Sequence, residues 1–310
     1  MQNSNFIFRK IDVLKSDNIS YKELHNLLFK GASVTNEWIN WYHKEIPSIE
    51  NWSIGTRTWG VYDKEKLIGI WSVEPKTIIS NKKEIKVGRC FAVGIHPDYR
   101  RLGLFVNLSQ FAINEEKKIK EFDYILGFPQ QGRSVIGGHL KAGWEECMNI
   151  DIYSRSNDAP FSYITKNNFS LISNFTPLES RDGFLENTNY LNERWINHPD
   201  HQYLSYSYKS SFIVLKPYSN FCHILKISGE KSEVKILLQL ISVLSRKHGW
   251  QEVNVWCSEM SMYKNALIES GFLNGATFGL PIQLIIVKIN TNKSFAFENL
   301  DFQMGVEEGY

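Results

Sequence analysis

The stretch CFAVGIHPDYRRLGLFVNL, Cys90–Leu108, decides the fold. Its first residues close an apolar, β-prone run, KEIKVGRCFAVGI, that reads as a strand. His96, Pro97 and Asp98 then signal a turn. From Leu104 to Phe122 the spacing of Leu104, Leu108, Phe111 and Ala112 predicts an amphipathic helix, with NEEKKIKE at its wet end. Between strand and helix stand Arg100, Arg101 and Gly103. A helix start offers N–H groups without intrahelical partners and a partial positive charge. Glycine lets backbone approach an anion closely, and arginines add fixed charge in a bidentate fork. The order predicts a phosphate or pyrophosphate cradle over residues 100–104. The plainer reading of such a turn is a solvated basic loop.

Outward from this stretch, helices and strands alternate. SYKELHNLLFK (20–30) has helical spacing after a serine cap, and TNEWINWYHKEIP (35–47) predicts a second helix that stops before Pro47. RTWGVYDKEKLIGIWSVEP (57–75) is a hairpin turning at Asp63 to Lys66. DYILGFP (123–129) is a short buried strand, RSVIGGHLKAGW (133–144) a short helix broken at Gly143, and EECMNIDIYSR (145–155) a strand. The alternation argues for an α/β sheet.

The second half repeats the order. EWIN at 37–40 returns as RWIN at 194–197, and SFIVLKPYSNFCHILKI (211–227) is again a hairpin. SEVKILLQLISVLSRKHG (232–249) is again an amphipathic helix, followed by VNVWC (253–257) and NALIESGF (265–272). We therefore expect a duplicated unit, with domains at 1–157 and 191–310 joined by a Ser-, Asn- and Pro-containing connection, 158–190.

Bulk properties narrow the function classes. With 310 residues and 43% hydrophobic content the chain fills a real core. A formal charge of +2 argues against a broad nucleic-acid surface. No apolar run is long enough for a membrane span, and the start, MQNSNFIFRKIDVLKSDN, lacks the apolar segment of a secretory leader. The four cysteines, Cys90, Cys147, Cys222 and Cys257, form no CxxC pair. These features lead us to expect a cytoplasmic, reducing setting without a structural metal. Aromatic residues, 14% of the chain, serve a core, or in part supply ring faces for a sugar or nucleoside.

VGIHPDYRRLGLF resembles the acyl-CoA-binding motif of the GCN5-related N-acetyltransferases (GNATs), Gln/Arg-x-x-Gly-x-Gly/Ala. Arg100 and Gly103 fill the first two set positions, and Phe105 departs from the third. ILGFPQQGRSVIGGHLKAGW resembles the second half of the same core. The resemblance implies a mixed, mostly antiparallel sheet with helices on both faces, and acetyl-CoA as acyl donor. It places cofactor contacts at Ala92, Val93, Ile95, Arg100, Arg101, Leu102, Gly103, Leu104, Phe105, Gln130 and Ser134. A strand splay would open the edge at Cys90–Ile95 to the pantetheine amides, and an N–H near Ala92 or Val93 would meet the thioester carbonyl.

Two proton transfers then need owners. In this family the acid is often a tyrosine four residues before the closing glycine; here that position is His139, whose imidazolium would protonate the leaving thiolate, or which simply packs beside the cofactor. Glu74 is the candidate base, with His96 or water as alternatives. Cys90 reads as a small buried strand residue. In the second half SGEKSE (228–233) replaces the arginine loop and Leu267 replaces His139, so we expect a degenerate copy that walls the acceptor cleft.

The reading is a cytoplasmic, acyl-CoA-dependent N-acyltransferase of tandem GNAT type, transferring acetyl by direct attack of a primary amine. Its overall look resembles bacterial surface-polysaccharide acyltransferases, which implies a free or nucleotide-linked amino sugar as acceptor. The partners would be acetyl-CoA and a small amine, without nucleic acid or a membrane span; a homodimer stays open. A Fem-like transferase using aminoacyl-tRNA is the rival enzyme, and a non-catalytic acyl-CoA-binding module the rival class.

Overall fold

The computed structural model describes residues 6–30, 33–49, 52, 55–158, 169–175, 183–290, 292 and 294–306, so the expected connection, 158–190, lies partly outside the described residues. Its strands are β1 Phe6–Ile11, β2 Arg57–Asp63, β3 Lys66–Ser80, β4 Lys83–Ile95, β5 Tyr124–Gly127, β6 Glu145–Ser156, β7 Ser170–Leu171, β8 Gly183–Phe184, β9 Leu204–Tyr208, β10 Ser211–Pro217, β11 Phe221–Ser228, β12 Glu252–Cys257, β13 Leu273–Asn274 and β14 Ile282–Lys288. Its helices are α1 Asn18–Leu28, α2 Asn36–Asn40, α3 Ile46–Ile49, α4 Leu104–Ile119, α5 Val135–Lys141, α6 Thr188–Trp195, α7 Lys231–His248 and α8 Lys264–Glu269. None of these is long and apolar enough to cross a membrane.

The strands join in the order β1-β2-β3-β4-β5-β14-β6-β12-β11-β10-β9-β7. The sheet is mixed and mostly antiparallel; the parallel pairs are β4 with β5 and β11 with β12. Each half completes the other's sheet. β14, from the chain's far end, lies between β5 and β6. The last part of β6, residues 151–156, pairs with β12, and its Tyr153 and Ser154 pair with β13 on the other side.

Two cores sandwich the first half's strands. Ile70, Val87 and Phe91 pack with Tyr42 and α1 on one face. Val73, Cys90 and Phe122 pack with Leu108 and Ala112 of α4 on the other. A third core holds Leu237, Leu238 and Ile241 of α7 against Ile213 and Ile224. α4 is also tied to β2 by a buried ion pair, Arg57 to Glu116 at 2.5 Å, with the Trp59 indole N–H donating to the same carboxylate. Burying the charges in a paired, hydrogen-bonded form fixes the helix against the strand.

Two local readings differ from the spacing. α1 starts two residues before Ser20, after Asp17. The Asp17 carboxylate does not cap the helix because it accepts from Arg9, the Asp12 N–H and the Tyr62 hydroxyl, joining β1 to β2. The second helix does not stop before Pro47: a π-helical turn, Trp41–Glu45, carries it through into α3. Proline lacks an N–H and its ring crowds the carbonyl four residues back, here that of His43; a wide turn relieves both. The same wide turn points three successive residues, Trp41, Tyr42 and His43, into the core.

Candidate active site

β4 and β5 pair in parallel only over Val87–Arg89 with Tyr124–Leu126. Above that level each strand has another engagement. On β4 the register with β3 slips between Ile70 and Ser72, and Ala92 takes a left-handed backbone, φ +46°. That is a β-bulge, which bends a strand and leaves one residue out of the ladder. The continuation of β5 follows β14 instead: the Gln283 N–H donates to the Pro129 carbonyl, the Gln131 N–H to Pro281, and the Gln131 side chain to Ile282 at 3.2 Å. The two parallel strands therefore splay, and the upper edge of β4 has no strand partner on that side among the described residues.

The basic loop stands at the top of this splay. Arg101 and Gly103 have φ +67° and +75°. For Arg101 that region costs energy, and alternation of this kind turns successive N–H groups to one side. Gly103 is the N-cap of α4 and supplies no side-chain cap, and the helical ladder begins with Asn107 donating to the Gly103 carbonyl. A β-carbon at Gly103 would meet nothing within 4 Å, so the loop is open in front of the helix start. Arg100 is anchored through its Nε, which donates to the Ile95 carbonyl at 3.3 Å, leaving its far end exposed. Arg101 and Leu102 are exposed, while Leu104 is buried beneath them. This arrangement suits a pyrophosphate on the loop and an extended amide chain along β4.

The other expected residues divide into two groups. Phe105 meets the His139 ring edge-on at 5.0 Å, and Trp144 does so at 4.9 Å. His139 thus stands against Phe105, two residues after Gly103. Burial pushes its pKa down to about 4, which favours the neutral ring near pH 7. Gln130 and Ser134 are exposed on the opposite lip, where Gln130 bridges to Ile282 and its side chain accepts from Arg133. Val93 is half-buried and Ile95 buried at the end of β4.

Glu74 lies apart, on the face that carries α1. Its carboxylate contacts Lys76 at 2.9 Å and Arg89 at 2.8 Å and accepts from the Tyr42 hydroxyl at 2.7 Å. Burial disfavours its charge, but Lys76, Arg89 and Arg194 outweigh that and hold it well below the usual carboxylate range. A carboxylate so stabilised is a weak base. His96 serves the local fold, since its Nδ1 accepts the Asp98 N–H and so caps the turn at Pro97–Tyr99. The motif reading does not reach the buried group of Tyr42, Lys76, Arg89, Tyr190 and Arg194 around Glu74. Its signal is nonetheless in the chain, as Glu74, Lys76 and Arg89 interrupt otherwise apolar strands. A cavity of about 590 Å³ opens elsewhere, between the end of β1, the start of α1 and Trp52. It contains none of the expected residues, so the splay and its loop define the candidate site.

The bulge, the splay and the open helix start together are decisive. The chain has the GNAT fold. It superposes on a GCN5-related N-acetyltransferase from Anabaena variabilis with a TM-score of 0.65 at 12% identity, covering 92% of this chain and 73% of that one. A GCN5-related N-acetyltransferase from Kribbella flavida gives 0.63 at 10%, covering 94% and 73%. Eis1 from Mycobacterium abscessus gives 0.58 at 10%, covering 92% and 74%. At such identities the likeness is one of GNAT fold. No family model and no curated protein matches the chain.

Proposed function

We propose that the chain is an acyl-CoA-dependent N-acyltransferase whose donor is acetyl-CoA and whose acceptor is a small primary amine. The observation that carries this reading is the splay of β4 from β5 at the Ala92 bulge, topped by the uncapped start of α4. Acetyl-CoA, when bound, supplies an activated thioester. The residues present fit it: the start of α4 at Gly103 is open and uncapped, and the N–H groups of Arg101 to Leu104 with the Arg100 guanidinium would hold the pyrophosphate there. The edge of β4 from Phe91 to Ile95 offers backbone groups to the pantetheine amides, and the Ala92 or Val93 N–H stabilises charge on the thioester oxygen. Solvent water, rather than Glu74 or an imidazolium at His139, carries the amine's proton and meets the thiolate.

The second half reads as a copy without a cofactor slot. In it β11 and β12 pair over Phe221–Ile224 with Glu252–Val255 and then part. Beyond the pairing, Gln303 fills the gap: it accepts from the Ile227 N–H at 2.7 Å and donates to the Ile227 carbonyl at 3.0 Å. A side-chain amide from the chain itself thus takes the place where, in the first half, a pantetheine amide would bind. This supports domains at 1–157 and 191–310, modified by the exchanged strands. An amino sugar, free or nucleotide-linked, remains the proposed acceptor on the resemblance to surface-polysaccharide acyltransferases, and a cytoplasmic location follows from that role.

One feature favours a second reading, a non-catalytic acyl-CoA-binding module: burial disfavours an imidazolium at His139, and the cations around Glu74 weaken it as a base. One assay separates the two. Free thiol released from acetyl-CoA is followed against amino sugars, nucleotide amino sugars, amino acids and polyamines. Turnover with one acceptor class supports the enzyme. CoA binding without turnover on any amine supports the module.

A further inference from the structure

Two glycines, Gly137 and Gly138, stand side by side inside α5, where glycine weakens a helix. Neither has a left-handed backbone, so alanine fits either without backbone strain. Their surroundings differ. A β-carbon at Gly137 would meet nothing within 4 Å, whereas one at Gly138 would lie 2.8 Å from both Cδ1 and Cε1 of Phe105. That distance leaves no room for a methyl group beside the ring. Gly138 is therefore the hole that receives the Phe105 ring, and His139 holds the same ring edge-on at 5.0 Å.

Phe105 is the second residue of α4. Helical side chains lean toward the N-terminus and cover the turn before their own Cα. From this position a ring leans toward Arg101, Leu102 and Gly103, the loop assigned to the pyrophosphate. The space in front of that loop is open, since a β-carbon at Gly103 meets nothing within 4 Å. The inward direction is filled: Leu108, Ser109, Ala112 and Trp144 are buried, and the Trp144 indole donates to the Ser109 hydroxyl at 3.2 Å. A ring that loses its hole in α5 has the open space before the loop to enter.

We infer that Gly138 is a positioning residue for the acyl donor: it accommodates the Phe105 ring and so keeps that ring out of the pyrophosphate cradle. This deepens the acyl-CoA reading and rests on it. The large side chain on α4 and the missing one on α5 act as a pair. A methyl group on α5 at this position displaces the ring, which then competes with the phosphates for the start of α4.

The test uses the full chain as wild type, Gly138→Ala, Phe105→Ala and the double variant Phe105→Ala/Gly138→Ala, each with a thermal melt. Each is titrated with CoA and, separately, with the pyrophosphate-bearing nucleotide half of CoA, which lacks the amide chain. Gly138→Ala should fold and bind both ligands more weakly, by about five- to 150-fold in Kd, the cost of an overfilled contact. The double variant should bind both more tightly than Gly138→Ala does, because the ring is gone. In the Phe105→Ala background Gly138→Ala should raise Tm, since alanine favours a helix where nothing obstructs it. Wild-type affinity in folded Gly138→Ala overturns the inference. So does a double variant no better than Gly138→Ala, or a loss confined to whole CoA, which means a shifted α5 rather than a ring in the cradle. A Gly138→Ala chain that does not fold overturns it as well, because the ring then found no open space. A wild type that binds neither ligand removes the acyl-CoA reading itself, and this inference with it.

Discussion

The cradle assignment is tested by substituting Gly103 in two ways. Gly103 has φ +75°, and a β-carbon there meets nothing within 4 Å, so the cost of a side chain is conformational rather than steric. A non-glycine residue in this region costs about 1–2 kcal/mol. Gly103→Ala is therefore expected to lower the melting midpoint by a few degrees, at about 2–4 °C per kcal/mol. Gly103→Asp costs less in the backbone, because aspartate tolerates the left-handed region. It sets a carboxylate in front of the α4 N–H groups. At roughly 5 Å from a bound phosphate charge, with an effective dielectric of about 20–80, the repulsion is about 1–3 kcal/mol, or about five- to 150-fold in Kd. Titration calorimetry with CoA, beside thermal melts, separates the effects. Gly103→Ala should change Tm more than affinity, and Gly103→Asp affinity more than Tm. The Gly103→Asp penalty should shrink as salt screens it. A folded Gly103→Asp protein that binds CoA with wild-type affinity refutes the cradle.

Further expectations follow from buried charges and hydrogen bonds. Glu74→Gln leaves Lys76 and Arg89 without their carboxylate and should cost about 3–5 kcal/mol in urea unfolding; full stability with lost turnover would instead restore Glu74 as a base. Because the folded-state pKa of Glu74 is depressed, its stabilisation is present at neutral pH and is lost as pH falls through the acidic range below the ordinary carboxylate value. His25, His43, His139 and His198 are buried and depressed, to about 4, 3, 4 and 2. The unfolded chain then binds more protons below pH 6.5, so stability should fall by about 1.3 kcal/mol for each between pH 7.5 and 5.5; urea midpoints equal at those two values would contradict their burial. In the same vein, His139→Phe should hold kcat within about tenfold and leave the pH profile unchanged, whereas a loss of two orders with an unshifted Tm would return proton transfer to His139. Gln303→Ala leaves the Ile227 N–H and carbonyl unpaired and should cost about 2 kcal/mol; the wild type should bind one CoA per chain, and two equivalents would overturn the plugged slot.

Most of the local elements were legible in the residues. β4 runs over the span its apolar stretch predicts, Lys83–Ile95, and α4 starts at Leu104 because Gly103 allows the chain to turn there. These are short-range matters of pattern and backbone freedom, which one sequence carries. What opened the site was not legible. The splay needs β14 to draw the residues after β5 away from β4, and IQLIIVK is an apolar run that fits any buried strand position. Its neighbours, distant in the chain, are chosen by packing and register, not by its own composition. Glu74 and His139 show the same divide. Residue type made them candidates, but only tertiary burial decided that one is a fixed anion and the other a neutral ring, because pKa depends on the charges and solvent that the fold brings to a group.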